Sequence, residues 1–231
     1  MAIDYYQTAH MASSHIGDHE GLLYLRSLCK NAANVLDVGC GEGTRLATNT
    51  KSGWGVDISS KAVDLARRQY PHLKFRKVDA SSLPFEDDEF EVVYSAFTLE
   101  HTRNHIDILN EMIRVSNKHI VILCPNFGAP NRRSPVSTEN PINKFFEDML
   151  FPRSASNWRK VTPRDNYNHI DDDTTVEPEL NSFIEFLESR GLKVIKWSSM
   201  WSQELPSLNP RKMFFRLFPH LGPQIFVVAQ K

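Results

Sequence analysis

One stretch, Val35–Thr44, constrains the fold of this chain more than any other feature. It begins with four mostly apolar residues, which predict a buried strand, and continues with three glycines at alternate positions. Glycine tolerates a positive φ, and a side chain at Gly39 or Gly41 would hold a ligand away from the backbone. We expect a helix to begin just after Gly43, so that its unpaired N–H groups face the same crevice. This pattern is typical of the first turn of a nucleotide-binding α/β sheet.

Predicted strands and helices alternate along the chain as far as Cys124. The alternation predicts an α/β fold with a doubly wound, Rossmann-like sheet of seven strands, mostly parallel, with an antiparallel last strand and helices on both faces. We expect strands at 34–38, 53–57, 73–78, 90–96, 118–124, 192–199 and 224–229, and helices at 16–31, 44–50, 60–70, 102–116 and 178–190. The apolar spacing predicts inward-facing side chains at Leu22, Leu25 and Cys29; at Ala62, Leu65 and Ala66; at Ile106, Leu109 and Ile113; and at Leu180, Phe183, Ile184 and Leu187.

The carboxyl ends of the parallel strands are expected to share one edge of the sheet, because crossover connections are right-handed. Gly39, Asp57, Asp79, Ala96 and Pro125 each end or follow a predicted strand, so the fold brings them together. Ligands of open α/β sheets bind at that edge. The sequence therefore predicts a ligand site at the carboxyl ends of the parallel strands.

Composition narrows the class of protein. The chain has 231 residues, of which 41% are hydrophobic and 24% charged, as in a globular domain with a full core. Its formal net charge of −1 gives no general attraction to nucleic acid or anionic membrane. The three cysteines are widely spaced, which fits neither a disulfide framework nor a zinc site. No apolar run approaches the roughly 18 residues of a membrane span, and the start lacks the apolar core of a signal peptide, so we expect a cytoplasmic protein.

An ordered set of short segments resembles a class I methyltransferase that uses S-adenosylmethionine, of the group that modifies small molecules. The segments are Val35–Thr44, Gly55–Ser59, Val78–Ala80, Leu83–Phe85 leading into Phe90–Tyr94, and Leu99–His101. They cover residues 34–124, and the predicted helix and paired strands of 178–230 match the family's ending. The resemblance implies an enzyme with S-adenosyl-L-methionine as cofactor and S-adenosyl-L-homocysteine as product.

The first half of the cofactor site that the resemblance implies lies at the glycine turn. Gly39, Cys40 and Gly41 would let the backbone pass close to the methionine and ribose parts of the cofactor. Asp37 would help hold the cofactor's ammonium group, or would only brace the turn. Asp57 would accept hydrogen bonds from both ribose hydroxyls, because a carboxylate only accepts.

The other half of this implied site follows the second, third and fourth strands. Ile58 would pack on the adenine ring. Asp79 would accept from the adenine amino group, and the Ala80 N–H would bond a ring nitrogen. Ser95, Ala96 and Phe97 would form the floor beneath the sulfonium, with backbone carbonyls that favour its positive charge.

A dinucleotide dehydrogenase is the alternative that shares such a turn. Asp57 follows Asp37 by 20 residues, a spacing that suits both families. The dinucleotide pattern G-x-G-x-x-G needs a small residue where this chain has Thr44, and it has no use for Asp79 and Ala80. The set of motifs therefore favours the methyltransferase.

Two histidines are candidates for the general base that removes the acceptor's proton. Histidine suits this task because its ordinary pKa lies near neutrality. His101 follows the fourth strand by a few residues, although the Glu-His pair of the resembling family also has a structural interpretation. His169 lies late in a long insert, where some related enzymes place a histidine near the acceptor, or it is an exposed residue. No group of potential ligands has metal-site spacing, so no metal is expected.

The predicted organisation is a single domain over residues 1–231. It comprises a flap and helix at 1–31, the cofactor-binding half at 34–124, an insert or lid over the acceptor site at 126–175, and a closing helix and strand hairpin at 178–230. Within the insert, residues 143–150 predict a short helix. Long connections of this kind are usually lids or binding elements.

The acceptor is the least constrained part of this interpretation. Candidate residues to bind it are Tyr6, His10, Asn126, Arg132, Arg133 and Tyr167. Arg153, Arg159 and Lys160 add to a basic insert that either recognises a phosphate, carboxylate or sugar nucleotide or carries ordinary surface charge. The Asn/Asp-Pro-Pro-aromatic signature of nucleic-acid amino-methylating enzymes is absent at 95–98, so no nucleic-acid partner is expected.

The resemblance implies a small-molecule acceptor, and Pro125-Asn126 suggests methylation of a hydroxyl on a sugar, lipid or natural product. N- or C-methylation of a metabolite and a non-catalytic S-adenosylmethionine-binding partner subunit remain alternatives. The basic, aromatic residues 211–218 would contact a membrane or lipid, or would pack against the domain or a partner. We expect a monomer or homodimer.

Overall fold

The computed structural model describes residues 20–129, 140, 153–162, 174–199, 222 and 224–231. The predicted flap at the N-terminus, the helix at 143–150 and the piece at 211–218 lie outside the described residues, as do Tyr6, His10, Arg132, Arg133, Tyr167 and His169. The described helices are α1 (Glu20–Asn31), α2 (Thr44–Asn49), α3 (Ser60–Gln69), α4 (His105–Val115) and α5 (Leu180–Ser189).

Seven strands form the main sheet and confirm the predicted fold class. They are β1 (Val35–Val38), β2 (Trp54–Asp57), β3 (Lys74–Lys77), β4 (Phe90–Ala96), β5 (Ser116–Pro125), β8 (Lys193–Ser198) and β9 (Gln224–Gln230). Their order is β3-β2-β1-β4-β5-β9-β8. β1 pairs in parallel with both β2 and β4, and β2 pairs in parallel with β3. The sheet is mostly parallel with one antiparallel strand, as in a Rossmann-like fold.

A second, two-stranded sheet has one strand within the predicted insert at 126–175 and the other directly after it. β6 (Arg159–Lys160) and β7 (Val176–Glu177) pair antiparallel, with Arg159 opposite Glu177. Sequence patterning did not predict these strands, because two residues are too few to show an alternation of apolar and polar positions. Short 3₁₀ helices at Leu99–His101 and Ala155–Asn157 complete the described elements.

The core confirms most of the predicted inward faces and corrects some positions. On α1, Leu22, Leu25 and Cys29 are buried as expected. On α3 the buried residues are Val63 and Ala66, whereas Ala62 and Leu65 are partly exposed. The apolar stripe of an amphipathic helix is wide, and the sheet covers the edge of the stripe that contains Val63.

The last two helices show the same kind of correction. α4 begins at His105, after the 3₁₀ turn, and not at residue 102. Its core face is Ile108, Leu109, Met112 and Val115, which leaves Ile106 and Ile113 partly exposed. On α5, Ile184 is partly exposed while Ser182 is buried, because the Ser182 hydroxyl accepts a hydrogen bond from the Trp158 indole and donates one to the Glu179 carbonyl.

The chain divides into two compact units. The first contains the described residues up to Thr98, with Asn104–Val121 and Gln230–Lys231. The second contains Leu99–Arg103 and the described residues within Ile122–Ala229. The predicted organisation into functional segments stays a prediction. In the part of the chain that the structure describes, no helix combines the length and the apolar character needed to cross a bilayer.

Candidate functional site

The glycine turn after β1 has the backbone conformation that its sequence predicts. Gly39, Gly41 and Gly43 have φ angles of 79°, 52° and 80°, which side chains other than glycine rarely adopt. The Gly39 and Cys40 N–H groups donate to the Val56 carbonyl at 2.9 and 3.0 Å. These bonds fix the turn to the end of β2, so the turn belongs to the sheet edge and is not a loose loop.

Packing adds a second reason for glycine that sequence reasoning missed. A Cβ at Gly39 would lie 2.2 Å from Thr98 Oγ1, and one at Gly43 would lie 2.6 Å from the Phe75 ring. Thr98 follows β4 by two residues, so its approach to Gly39 depends on the pairing of β1 with β4. The turn is therefore packed against the chain itself at Gly39 and Gly43.

Asp57 lies at the end of β2, where its carboxylate holds two loops together. Its Oδ2 accepts from the Gly41 N–H at 2.8 Å, and its Oδ1 accepts from the Ser59 N–H at 2.9 Å. Burial raises the pKa of Asp57, and hydrogen bonds from the backbone N–H groups of Ser59, Gly41 and Ile58 oppose this shift. Each carboxylate oxygen has a further lone pair, so the group still has acceptor capacity. The neighbouring Ile58 side chain is 43% exposed.

Asp37 is fully buried within β1 and lies beside Tyr94 of β4. The Tyr94 hydroxyl donates to Asp37 Oδ2 at 2.7 Å, whereas Oδ1 is buried without a hydrogen-bond partner among the described residues. Burial raises the pKa of Asp37 to about 7, although the Arg45 charge and the Tyr94 hydrogen bond act in the opposite direction. A buried carboxyl with one unsatisfied oxygen suits a cationic donor from a ligand.

Asp79 and Ala80 follow β3 in a more exposed position. Asp79 Oδ1 accepts from the Ser81 N–H at 3.0 Å and from the Ser81 hydroxyl at 2.7 Å. These two hydrogen bonds hold the pKa of Asp79 below its ordinary value. Ala80 is partly exposed. The Asp79 carboxylate is thus ionised, oriented by its own turn and accessible to a donor.

The end of β4 contains the strained residue of the site. Phe97 has a φ of 60°, a conformation that costs a bulky side chain about 1–3 kcal/mol. The Arg45 guanidinium donates from Nη1 to the Ala96 carbonyl at 3.1 Å and lies 5.5 Å from the centroid of the Phe97 ring. The Ser95 hydroxyl is buried without a hydrogen-bond partner in the described part of the chain. Sequence reasoning missed Arg45, because its partner carbonyl is 51 positions away.

His101 ends the 3₁₀ helix of the second unit. Its Nε2 atom lies 3.8 Å from Glu100 Oε1, which is within ion-pair distance but too long for a hydrogen bond. The Glu100 carbonyl accepts from the Thr175 N–H at 2.9 Å, which ties this helix to the residue before β7. The role of His101 as a base stays a prediction, and His169 lies outside the described residues.

The described arginines of the insert are paired within the second unit. Arg159 Nη1 lies 3.0 Å from Glu177 Oε2; the Glu177 side chain is buried and the Arg159 side chain is partly exposed. Arg153 Nη1 lies 3.2 Å from Glu179 Oε1, and the Arg153 N–H donates to the other carboxylate oxygen. These arginines therefore have carboxylate partners in the chain. The predicted recognition of an anionic acceptor by the insert has no support from them.

Asn126 follows β5 and is buried. Its Nδ2 donates to the Gly222 carbonyl at 2.7 Å, and its Oδ1 accepts from the Leu180 N–H at 3.3 Å, at the start of α5. The amide thus bonds two segments of the second unit at both of its polar atoms. The predicted contact of Asn126 with substrate stays a prediction. Among the described residues, no group of His, Cys, Asp or Glu is arranged to hold a metal ion.

Comparisons with known proteins agree with this geometry. Residues 35–119 match the family model described as a methyltransferase domain. A demethylmenaquinone methyltransferase of Chlorobaculum parvum is 26% identical over 175 residues, which are 72% of this chain and 68% of that protein.

Two solved structures share the fold. The YcgJ protein of Bacillus subtilis matches over 91% of this chain and 97% of its own, with a TM-score of 0.56 and 17% identity. An S-adenosylmethionine-dependent methyltransferase of Mesorhizobium loti matches over 91% and 95%, with a TM-score of 0.58 and 13% identity. The domain match over residues 35–119 and the related enzyme confirm the predicted resemblance to class I S-adenosylmethionine-dependent methyltransferases.

Proposed function

We propose that this enzyme binds S-adenosylmethionine at the edge formed by the glycine turn and the ends of β2 and β4, and transfers the methyl group to a small molecule. The observation that carries the proposal is Asp37, whose buried Oδ1 has no hydrogen-bond partner among the described residues. An unsatisfied buried acceptor costs about 1–3 kcal/mol, which a donor from a ligand would recover. The ammonium group of the cofactor is such a donor.

The remaining proposed contacts follow the sheet edge. The backbone of Gly39, Cys40 and Gly41 would face the methionine and ribose parts, and Asp57 would accept from the ribose hydroxyls. Asp57 fits this task because its carboxylate is already fixed by two N–H groups. Its position therefore needs little further ordering when the ligand binds.

The adenine and sulfur ends of the cofactor would lie against two further groups. The exposed Ile58 side chain would pack on adenine, and Asp79 and Ala80 would meet its edge. Ser95, Ala96 and Phe97 would lie beneath the sulfur, where the fixed φ of Phe97 preorganises the backbone.

When bound, the cofactor would supply an activated methyl group, whose carbon bonds to an aligned nucleophile as its bond to sulfur breaks and the neutral thioether leaves. The chain's contribution is to align the acceptor and to remove its proton. For a hydroxyl acceptor, an imidazole of His101 or His169 would take the O–H proton as the oxygen forms its bond to carbon. A carbon or nitrogen acceptor that is already nucleophilic would need less help from a base.

We favour a hydroxyl of a sugar, lipid or natural product as the acceptor. The relatives named demethylmenaquinone methyltransferases support a small-molecule substrate, and demethylmenaquinone is the first compound with which to test the C-methylation alternative, because its methyl group goes to a ring carbon. N- or C-methylation of a metabolite stays an alternative, and an assay with a panel of acceptors would detect it as well. We expect the enzyme to act in the cytoplasm as a monomer or homodimer, without nucleic acid, which accords with its net charge of −1.

Calorimetry tests cofactor binding directly. We expect S-adenosylmethionine and S-adenosylhomocysteine each to bind with one-to-one stoichiometry, and NADH to give no heat. Heat with NADH alone would contradict the proposal. Release of S-adenosylhomocysteine with one member of an acceptor panel would distinguish an enzyme from a non-catalytic binding subunit.

Asp57→Ala should weaken binding of both ligands about 30-fold or more, because the loss of hydrogen bonds to a charged acceptor costs about 2 kcal/mol. Asp64→Ala is the matched control. Asp64 is an exposed carboxylate on α3, within 3.4 Å of Arg67. Unchanged affinity in the Asp57 variant would remove this residue from the site.

A further inference from the structure

The Arg45 side chain places a permanent positive charge at the end of β4. Its guanidinium is fixed at two points, by the hydrogen bond from Nη1 to the Ala96 carbonyl and by the face of the Phe97 ring. Among the described residues, no carboxylate lies within 4.0 Å of this guanidinium, and its Nε atom is buried without an acceptor. The charge is therefore not neutralised by a direct ion pair in this part of the chain.

The Ala96 carbonyl has a partner within the chain that the sequence does not predict. The sequence predicts carbonyls at this corner that favour the positive sulfonium of the cofactor. In the structure, the Ala96 oxygen accepts a hydrogen bond from a cation. A carbonyl engaged in this way offers less negative potential to a second cation, and the guanidinium itself repels that cation.

We propose that Arg45 is a specificity-determining residue that disfavours the sulfonium of S-adenosylmethionine relative to the neutral sulfur of S-adenosylhomocysteine. The inference rests on the proposed function, which places Ser95, Ala96 and Phe97 beneath the sulfur. Repulsion of this kind raises the ground state more than the transition state, because the sulfur loses its charge as the methyl group leaves. Arg45 would thus assist transfer without touching the reacting atoms.

The ratio of the affinities for S-adenosylmethionine and S-adenosylhomocysteine isolates the effect of the Arg45 charge on the sulfonium. The two ligands share the amino-acid and adenosine parts and differ by one methyl group and one charge. Loss of Arg45 also alters the environment of Asp37, on which its charge acts. That change concerns the ammonium group of both ligands equally, so it cancels in the ratio.

The experiment compares calorimetric dissociation constants of both ligands for the wild type, Arg45→Gln and Arg45→Lys. Arg45→Gln keeps a donor for the Ala96 carbonyl and removes the charge, whereas Arg45→Lys keeps the charge. We expect the affinity for S-adenosylmethionine relative to S-adenosylhomocysteine to rise about fourfold in Arg45→Gln, which is the size of the repulsion between two nearby charges in a medium close to water. The ratio should stay within about twofold of wild type in Arg45→Lys.

Arg67→Gln is the matched control. Arg67 also donates to a backbone carbonyl, that of Phe75, at 3.1 and 2.9 Å, but from the exposed side of α3. We expect its ratio to equal that of the wild type. The rise in Arg45→Gln should also shrink with added salt, because salt partly screens a charge that is only partly buried.

An unmoved ratio in Arg45→Gln, with both affinities lowered alike, would overturn the inference and leave Arg45 as a structural brace. Equal ratios in Arg45→Gln and Arg45→Lys would overturn it as well. Failure of the wild type to bind either ligand would instead contradict the proposed function. Circular dichroism of each variant confirms that the compared proteins are folded, and Arg45→Lys against wild type with a salt series tests the charge if Arg45→Gln does not fold.

Discussion

Asp37 in the first unit and Glu177 in the second are both buried acids on β-strands, and they have different partners. Asp37 accepts one hydrogen bond from the neutral Tyr94 hydroxyl, and its other oxygen has no partner among the described residues. Glu177 lies 3.0 Å from the Arg159 guanidinium, which is opposite it in the two-stranded sheet.

This difference in partners distinguishes two roles of a buried acid, one in pairing with the chain and one in binding a ligand. The Arg159–Glu177 pair is satisfied within the chain, so it needs no ligand, and its net contribution to stability over an apolar pair is small. Asp37 has one oxygen without a hydrogen-bond partner among the described residues, and it precedes the first glycine of the turn by two residues. We infer that Asp37 still has an oxygen that can bind a ligand, whereas the carboxylate of Glu177 already binds Arg159.

Gly39→Ala should have the largest effect on the first region. A positive φ costs alanine about 1–2 kcal/mol, and the overlap with Thr98 adds about 1–3 kcal/mol. We expect about 4 kcal/mol less stability in chemical denaturation, with loss of S-adenosylhomocysteine binding. Gly191→Ala is the control, because Gly191 has a similar φ of 81° with nothing within 4 Å of the added Cβ. It should lose only about 1 kcal/mol.

The double variant Gly39→Ala, Thr98→Gly sharpens this result. It removes the overlap and keeps the unfavourable φ, so about half of the lost stability should return. If Gly39→Ala and Gly191→Ala are equally stable, the close approach of Thr98 does not constrain the turn.

Glu177→Leu should have the largest effect on the second region. It leaves the Arg159 guanidinium, only 10% exposed, without its carboxylate and should cost about 3 kcal/mol. Adding Arg159→Met should restore most of the loss, because a buried pair replaced by apolar side chains is close to neutral. Denaturation measures the stability of both variants, and calorimetry with S-adenosylhomocysteine should show unchanged affinity. A loss of affinity in the double variant would show that the pair serves binding.

The sequence predicted the main sheet and the acids at its edge, because these follow from local patterns. Four-residue apolar runs, alternate glycines and an acid directly after a strand are visible without knowledge of the fold. The partners of those acids were not visible. Tyr94 faces Asp37 only because β1 pairs with β4 in one particular register, and the order of strands in a sheet is not written in any one strand.

The same reason explains the missed arginine contacts. The sequence indicates no role for Arg45 in its short predicted helix, and it makes Arg159 a candidate for binding an anion. Each has its partner far along the chain, at Ala96 and Glu177 respectively. The charge of a side chain follows from its residue type, but the group that it contacts depends on tertiary pairing.

The smallest of the expected effects concerns the pH dependence of Asp37. Burial raises its pKa from an ordinary value of 3.8 to about 7, so between these values the folded state binds a proton that the unfolded state has lost. The stabilising contribution is fully present below pH 4, falls as pH rises, and is lost above pH 7. We expect a loss of about 2–3 kcal/mol between pH 5 and 8 that Asp37→Asn abolishes.

The measurement is the difference in unfolding free energy between wild type and Asp37→Asn at several pH values, since the other carboxylates cancel in that difference. Asp79 and Glu111 have lowered pKa values and act in the opposite direction. A cationic ligand should also lower the pKa of Asp37, so S-adenosylhomocysteine should bind the wild type more tightly at pH 8 than at pH 6, and Asp37→Asn equally at both. If the difference in unfolding free energy does not change with pH, Asp37 is ionised throughout this range. Asp37 and Glu177 would then differ only in the groups that contact them.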